Sequence, residues 1–308
     1  MIPARAYRRR PPGRSYDTSA DAKAYIPKKS CHGSDNLLAP PYFVDDMAAM
    51  LQSFLPNSVH ALTAALALVC LPSVVRAESA DELIKQGDAL EVKLQSSDAL
   101  EAYLKADKLR PKDARLYVRI ARQYRHLMVD APTTEEKLRL GGIALDYGVR
   151  AAALAPKDSD AQLSSAISYG KMLPFEGKKE QVQCSIRIRE AAEKAVKLNP
   201  KNDLAWHVLG RWHRVATSVG AAKRAMASLL YQALPPSSNE DAVKCLQKAI
   251  QINPGRTMHY VELGLTYQQM GKCDDARKCL EKGLSMPNQD IDDSNLKVQA
   301  KVALSLLR

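Results

Sequence analysis

Four stretches of this chain end in the same way, with an alanine placed five residues before a proline. The four prolines are Pro111, Pro156, Pro200 and Pro254. Proline ends a helix because it has no N–H to donate and because its ring clashes with the carbonyl of the preceding turn. Alanine is small enough to let another helix cross closely. The endings therefore predict a set of similar helices, each packed tightly against a neighbour, in a chain built from repeats.

A second pattern follows each of these prolines in fixed register. A large residue comes six positions after the proline, an apolar one nine, a small one ten and an aromatic one thirteen positions after it. After Pro111 these residues are Tyr117, Ile120, Ala121 and Tyr124. Gln162 and Ser165 make the unit after Pro156 the weakest match. The order is typical of the first helix of a tetratricopeptide repeat, a helix pair of about 34 residues.

The spacing of the prolines indicates where the repeat has been lengthened. Successive intervals from Pro111 to Pro287 are 45, 44, 54 and 33 residues. The first three exceed the unit length by about 11, 10 and 20 residues, and we expect these insertions to lie between the two helices of a unit. The longest contains Ala221–Leu230 followed by Pro235-Pro236-Ser237-Ser238, which predicts an extra helix and then a turn.

The fold predicted for residues 79–308 is all-α: a tetratricopeptide-like right-handed superhelix of about five helix pairs, with inserted helices and a C-terminal capping helix. The capping helix is expected near residues 295–307, although Leu296, Val298, Ala300 and Val302 are too mixed in spacing to define one clean apolar face. Such a chain grows by contact between neighbouring repeats, so 308 residues need no single large core.

Residues 1–78 differ in composition from the rest and are expected to form a disordered or cleaved targeting leader. An arginine-rich start is followed by a short apolar segment at residues 61–71, shorter than the roughly 20 residues of a membrane span. Small residues ending at Ala77 fit a cleavage site, so the leader points to a plastid or mitochondrion. Asp45 and Asp46 precede the apolar run where positive charge is expected. A short membrane-associated or buried helix is the alternative.

Several classes of site are not indicated by the sequence. The six cysteines show no Cys-x-x-Cys spacing, so we expect free, mostly buried thiols and no metal site or disulfide framework. His-Glu-x-x-His, Gly-x-Ser-x-Gly, phosphate-binding and dinucleotide-binding motifs are absent. His207 and His213 each follow a tryptophan, but residues six apart lie on different faces of a helix. We therefore predict a protein that is not an enzyme and has no cofactor.

Charge provides the one candidate binding surface. The formal net charge is +11, and residues beyond the leader are basic. Arg115, Arg119, Arg122 and His126, at spacings of 4, 3 and 4, share one helical face. The candidate basic groove consists of Arg115, Arg119, Arg122, Arg211, Arg214, Lys223 and Arg224.

First helices line the concave groove of a tetratricopeptide superhelix, so this set is expected to attract an acidic protein partner. Reversing the charge of Arg119 and Arg122 is expected to abolish binding without lowering stability. The alternative is a solvated charged face with no specific partner. The lysine and asparagine pattern that clamps the C-terminal carboxylate of chaperones is absent.

Four segments of the chain resemble a known family more specifically than the tetratricopeptide repeat does. These are Pro235-Pro236-Ser237-Ser238 within its flanking sequence, Leu209-Gly210-Arg211-Trp212, the arginine-rich Leu116-Tyr117-Val118-Arg119-Ile120-Ala121-Arg122, and Phe175-Glu176-Gly177-Lys178. Over residues 80–308 the chain resembles the regulator of microtubule dynamics family.

The resemblance implies a scaffold that associates with microtubules and spindle poles in the cytoplasm and cytoskeleton, with some members at mitochondria and tubulin as the acidic partner. The resemblance supplies no short binding motif that could be assigned to residues of this chain. We expect no nucleic-acid partner and no stable membrane span in the mature chain, and the oligomeric state stays open. The alternative function is an organelle-targeted tetratricopeptide scaffold or assembly factor.

Overall fold

The computed structural model describes residues 78–307, which form twelve α-helices, one short 3-10 turn and no strand. The helices are α1 (Ala80–Val92), α2 (Ser96–Leu109), α3 (Ala114–Asp130), α4 (Thr134–Leu154), α5 (Ser159–Met172), α6 (Lys178–Leu198), α7 (Asp203–Thr217), α8 (Ala221–Leu230), α9 (Asn239–Ile252), α10 (Thr257–Gln269), α11 (Cys273–Ser285) and α12 (Asp293–Ser305). The 3-10 turn, Leu173–Phe175, lies between α5 and α6.

The helices form five hairpins, which confirms the predicted all-α tetratricopeptide-like fold. The pairs are α1 with α2, α3 with α4, α5 with α6, α7 with α9, and α10 with α11. Helix α8 is inserted into the fourth pair, and α12 packs against both helices of the fifth. The first helices also contact one another, α3 with α5, α5 with α7 and α7 with α10. They therefore make one continuous layer.

The helix boundaries follow from short polar residues and prolines. Helix α1 begins with a capping box, in which the Ser79 side chain accepts from the Glu82 N–H and the Glu82 carboxylate accepts from the Ser79 N–H. At Asp113, Thr133, Asp158, Asn202 and Ser238 the cap side chain accepts from a backbone N–H of the helix that follows, without the reciprocal bond. The second helices of the first four pairs end just before the repeated prolines, as predicted.

The repeated alanines lie where second helices pack most closely. Ala106, Ala151, Ala195 and Ala249 are all fully buried. Glycines serve the same purpose on first helices, because a methyl group at Gly210 would lie 2.7 Å from Leu246 Cγ. The predicted reason for the small residues, close crossing of helices, is confirmed.

The insertions differ from the prediction in two of three units. Only the fourth pair carries its extra residues as a separate segment, α8 followed by the loop with Pro235 and Pro236. In the second and third pairs the extra residues mainly lengthen helices, since α3 has 17 residues and α4 and α6 have 21 each. A longer helix pairs the backbone N–H and C=O groups of the extra residues with one another. In an irregular segment of equal length these groups would need side chains or water as partners.

The capping helix α12 has a clearer apolar face than the sequence indicated. Leu296, Ala300, Ala303 and Leu307 are buried at helical spacing, whereas Val298 and Val302 are exposed. The expectation of mixed spacing was wrong because Ala303, a small residue, belongs to the buried face and the two valines do not.

The predicted leader, its apolar segment at residues 61–71 and two of the six cysteines lie outside the described residues, so those expectations stay predictions. Within residues 78–307, no helix combines the length and apolar character needed to span a membrane.

Candidate protein-binding groove

The first helices of the first three pairs enclose a groove of about 370 Å³, called the inner groove below. Helix α1 contributes Asp88 and Glu91, α3 contributes Arg115, Arg119 and Arg122, and the start of α5 contributes Asp158 and Asp160. Three of the predicted basic residues are therefore together, as their spacing indicated. The groove nevertheless carries both signs of charge.

Arg119 is held by an acidic side chain of the preceding pair. Its Nε donates to Asp88 Oδ1 at 2.7 Å and its Nη2 to Asp88 Oδ2 at 3.3 Å. Tyr103 also donates its hydroxyl to Asp88 Oδ1, at 2.8 Å. Burial raises the pKa of Asp88, but the hydrogen bonds from Arg119 and Tyr103 outweigh it and hold that pKa below its usual value. The carboxylate is thus ionised and neutralises Arg119.

Arg122 is paired in the same way. Its Nη1 lies 2.5 Å from Glu91 Oε1, and Gln123 donates to the other oxygen of Glu91 at 2.7 Å. Arg115, one turn before Arg119, is exposed and forms no ion pair with a described residue. Arg119 and Arg122 join α3 to α1, so their contacts do not support the expectation that reversing both charges leaves stability unchanged.

The predicted cations on α7 also differ in whether an internal carboxylate already pairs with them. Arg214 Nε lies 2.5 Å from Oε1 of Glu262, a carboxylate that is almost completely buried on α10. A buried charge needs such a partner. Arg211 is half exposed and only approaches Glu262, with 3.8 Å between Nη1 and Oε2. Arg211 is therefore the more available cation.

Arg224 organises the inserted loop, while Lys223 beside it is exposed. One guanidinium nitrogen of Arg224 donates to Ala216 O at 3.1 Å; the other donates to Leu234 O at 3.0 Å and to Pro235 O at 2.7 Å. A planar fork of donors suits several carbonyls at once. Arg224 thus holds the Pro-Pro-Ser-Ser segment against the end of α7.

A buried polar cluster between α7 and α10 was missed by sequence reasoning. Asp203 Oδ2 lies 2.7 Å from Arg256 Nε and 3.1 Å from His259 Nε2, and His259 Nδ1 lies 3.1 Å from His207 Nδ1. One of two bonded ring nitrogens must lack a hydrogen, so at least one ring is neutral. Burial, reinforced by neighbouring positive groups, holds the pKa of His207 well below its usual value.

An acidic turn between α11 and α12 lies against the C-terminal parts of α3 and α5, just beyond the residues that line the inner groove, and this place is called the end of the inner groove. Lys171 Nζ lies 2.5 and 2.6 Å from the two carboxylate oxygens of Asp292. His126 Nε2 lies 3.9 Å from Asp290 Oδ1. Lys171 and Asp292 are separated by 121 residues in sequence. No local pattern indicates such a pairing.

A family model described as "Regulator of microtubule dynamics protein 1-3" matches residues 77–308. That match covers the whole of the helical array. The chain belongs to this family. The family resemblance drawn from the inserted loop and the arginine-rich first helix is thereby confirmed.

Curated members of the family are similar at moderate identity. Mouse regulator of microtubule dynamics protein 1 is 29% identical over 196 residues, covering 63% of this chain and 64% of that protein. Mouse regulator of microtubule dynamics protein 2 is 25% identical over 191 residues, covering 62% of this chain and 47% of that protein. The matched region thus spans about half to two thirds of these relatives.

Among solved structures, a thermophilic tetratricopeptide protein from Thermus thermophilus aligns with a TM-score of 0.53 and 19% identity. The alignment covers 74% of this chain and all of that protein. It supports the fold alone and agrees with the five stacked hairpins.

Proposed function

We propose that this chain is a non-enzymatic scaffold that regulates microtubules by binding acidic segments of tubulin through its layer of first helices. The observation that carries the proposal is the presence of exposed cations, Arg115 and Arg211, on the first helices of a regulator of microtubule dynamics family member. Their guanidinium groups suit carboxylate partners. By the same reasoning, the protein acts in the cytoplasm and on the cytoskeleton, including the spindle.

The seven predicted cations contribute unequally to this surface. Arg119, Arg122 and Arg214 are already paired with carboxylates, and Arg224 is bonded to backbone carbonyls. A partner gains most from a cation that gives up no internal bond when it binds. Arg115 and Arg211 are therefore assigned the direct contacts on the first helices, the exposed Lys223 adds a cation from the inserted helix α8, and the paired arginines add to the positive field.

Co-sedimentation with microtubules tests this proposal. Wild-type protein is expected to pellet with microtubules, and less so as ionic strength rises from about 0.05 to 0.2 M, because salt screens exposed charges. The double variant Arg115→Glu/Arg211→Glu is expected to pellet at least about tenfold less well, the effect of losing about 1.4 kcal/mol.

The matched control reverses two exposed lysines on second helices, Lys194→Glu and Lys248→Glu, which changes the net charge by the same amount. Equal loss in both double variants would point to net charge alone. Unimpaired pelleting of Arg115→Glu/Arg211→Glu would overturn the proposed surface.

A second candidate function follows from the predicted leader at residues 1–78. If the small-residue site ending at Ala77 is cleaved, the helical array serves as a scaffold or assembly factor for a protein in a plastid or mitochondrion. A fluorescent tag at the C-terminus, combined with sequencing of the mature N-terminus, separates the two candidates. Cytoskeletal fluorescence with an intact N-terminus favours the microtubule function, and organellar fluorescence with cleavage near Ala77 favours the scaffold.

A further inference from the structure

The turn between α11 and α12 carries the sequence Asp290-Ile291-Asp292, called the acidic turn below. Its aspartates contact α3 and α5, of the second and third helical pairs, and Ile291 shares a recess with residues of the first pair, although the turn follows the fifth pair in sequence. Asp292 faces the ammonium of Lys171 and Asp290 faces the imidazole of His126 at the end of the inner groove, and the isoleucine between them lines an adjacent recess. The chain thus supplies a short acidic segment to its own groove.

The Asp292 contact fixes one end of this segment. Lys171, near the C-terminus of α5, places its ammonium nitrogen 2.5 and 2.6 Å from the two oxygens of that carboxylate. Both side chains are 28% exposed, so the pair is partly shielded from water and its attraction is less screened than at an open surface. A carboxylate from another chain could occupy the same position.

Asp290 lies near His126 and Arg125 at the end of α3, and only Arg125 is a cation at neutral pH, because burial lowers the pKa of His126. Its Oδ1 lies 3.9 Å from His126 Nε2. Arg125, next to His126, is 4% exposed and donates to Ser164 O, Ser164 Oγ and Ser168 Oγ at 3.1 to 3.3 Å. No described carboxylate forms an ion pair with it. This guanidinium is therefore a buried positive charge between α3 and α5 that no described ion pair compensates.

The electrostatic influence of the acidic turn reaches both groups. Burial, and then the charge of Arg122, lower the pKa of Arg125 to about 9, whereas Asp290 and Asp292 act to raise it. Burial also lowers the pKa of His126, and Asp290 again opposes the effect. The two carboxylates thus stabilise the charged form of Arg125, and Asp290 that of His126, whereas burial destabilises both charged forms.

Ile291 gives the segment an apolar contact between its two charges. It lines a recess of about 250 Å³ with Leu94 and Leu127, beside the turn between α1 and α2. The acidic turn therefore presents three consecutive features to the groove: a carboxylate, an aliphatic side chain and a second carboxylate. The second carboxylate is paired with Lys171, the aliphatic side chain lines the recess, and the first carboxylate lies 3.9 Å from His126 Nε2.

The turn also holds its own shape. Asp293 accepts from the N–H groups of Gln289 at 2.7 Å and Asp290 at 2.9 Å, and Asp290 accepts from the Asp292 N–H at 3.1 Å. Asp293 is thus used within the turn. Asp290 and Asp292 are the carboxylates that reach the groove.

From these contacts we infer that the end of the inner groove recognises an acidic partner segment with an aliphatic residue between two carboxylates, and that the chain's own acidic turn occupies this place until a partner displaces it. The inference rests on the proposed function for its class of partner, an acidic protein segment. It adds the pattern of that segment and the internal competitor.

Fluorescence anisotropy with a labelled synthetic peptide tests the inference in the full chain. The probe is residues 286–295 of this chain, and the control probe carries D290N and D292N. The release variant, Asp290→Asn/Asp292→Asn, keeps Asp293 and α12 but weakens the internal contact. It is expected to bind the acidic probe at least about tenfold more tightly than the wild type, because the open groove is more populated.

Two further comparisons complete the test. Adding Lys171→Glu to the release variant is expected to abolish probe binding, and the control probe is expected to bind neither protein. Equal affinity of the wild type and the release variant for the acidic probe would overturn the inference, as would binding that Lys171→Glu leaves intact.

Hydrogen exchange provides a measurement that does not depend on the release variant. Lys171→Glu alone is expected to speed exchange of the Ile291 and Asp292 amides, and unchanged exchange would contradict docking of the turn.

Microtubule pelleting separates this inference from the proposed function. Probe binding without pelleting by any variant defeats only the microtubule function, whereas charge-dependent pelleting with no effect of release on probe binding defeats only the inference.

Discussion

Arg119 Nε lies 2.7 Å from Asp88 Oδ1, so an ion pair inside the inner groove joins the second helical pair to the first. The same carboxylate accepts a hydrogen bond from Tyr103 on α2. One aspartate thus connects the first helix of the second pair to both helices of the first. Arg119, predicted from its charge and position to bind a partner, therefore also stabilises the stack of helical pairs. A variant of Arg119 can lose binding because the stack is destabilised.

Charge reversal at Arg119 is expected to destabilise the protein. Arg119→Glu would place a second carboxylate against Asp88 and would lower the free energy of unfolding by about 1 kcal/mol, a modest value because both side chains are partly exposed. Arg115→Glu on the same helix is the control and should leave stability unchanged. Urea denaturation measures both, and equal midpoints would show that the pair contributes nothing to stability.

The fold could be predicted from the sequence because its determinants are local and repeated. The alanine and proline at each helix end, such as Ala106 and Pro111, report close crossing and termination directly. The inserted helix α8 was likewise visible from the Pro235-Pro236 breaker that follows it. These features depend on residues a few positions apart, which a sequence pattern can capture.

The use of the cations could not be predicted in the same way. Whether an arginine is free depends on carboxylates that the fold brings from elsewhere, 31 residues away for Arg119 and Asp88 and 48 for Arg214 and Glu262. Spacing on one helix placed the cations on a shared face. It could not reveal that some of them were already paired.

Close approach between helices makes one glycine sensitive to substitution. In Gly264→Ala the new methyl group would lie 2.6 Å from Leu280 Cγ and 3.2 Å from the Ala276 carbonyl oxygen. We expect a loss of about 1–3 kcal/mol in the free energy of unfolding, as for other overpacked interiors.

Gly142→Ala provides the matched control within helix α4, because nothing lies within 4 Å of the added methyl group. It should raise stability by about 0.5–1 kcal/mol through helix propensity. Urea denaturation of both variants tests the comparison. Similar stability changes of the same sign would contradict the close crossing at Gly264.

Stability is expected to fall as the pH is lowered from about 7 to 5. Histidine in an unfolded chain titrates near about 6.5, whereas the pKa values of His207, His126 and His213 are all lowered in the fold, in each case first by burial. Below about 6.5 the unfolded state therefore binds more protons than the folded state. Stability is fully present above that pH and is lost progressively below it.

His207 should account for a large part of this pH dependence because it is the most deeply buried of the three. His207→Gln, which keeps a hydrogen-bond donor near His259, is expected to flatten the change in unfolding free energy by up to about 2 kcal/mol at pH about 5. Urea denaturation at the two pH values measures the difference. An unchanged slope in the variant would show that His207 is not held neutral by the fold.

Arg224 allows charge and geometry to be separated. Arg224→Lys keeps the positive charge but loses the fork that contacts Ala216, Leu234 and Pro235. We expect chymotrypsin to cleave the loop after Tyr231 several-fold faster in Arg224→Lys and in Arg224→Ala, while Lys223→Ala leaves the rate unchanged. If Arg224 helps microtubule binding through its charge, the lysine variant retains binding despite the loosened loop. Loss of binding in both Arg224 variants would instead assign its effect to the shape of the inserted segment.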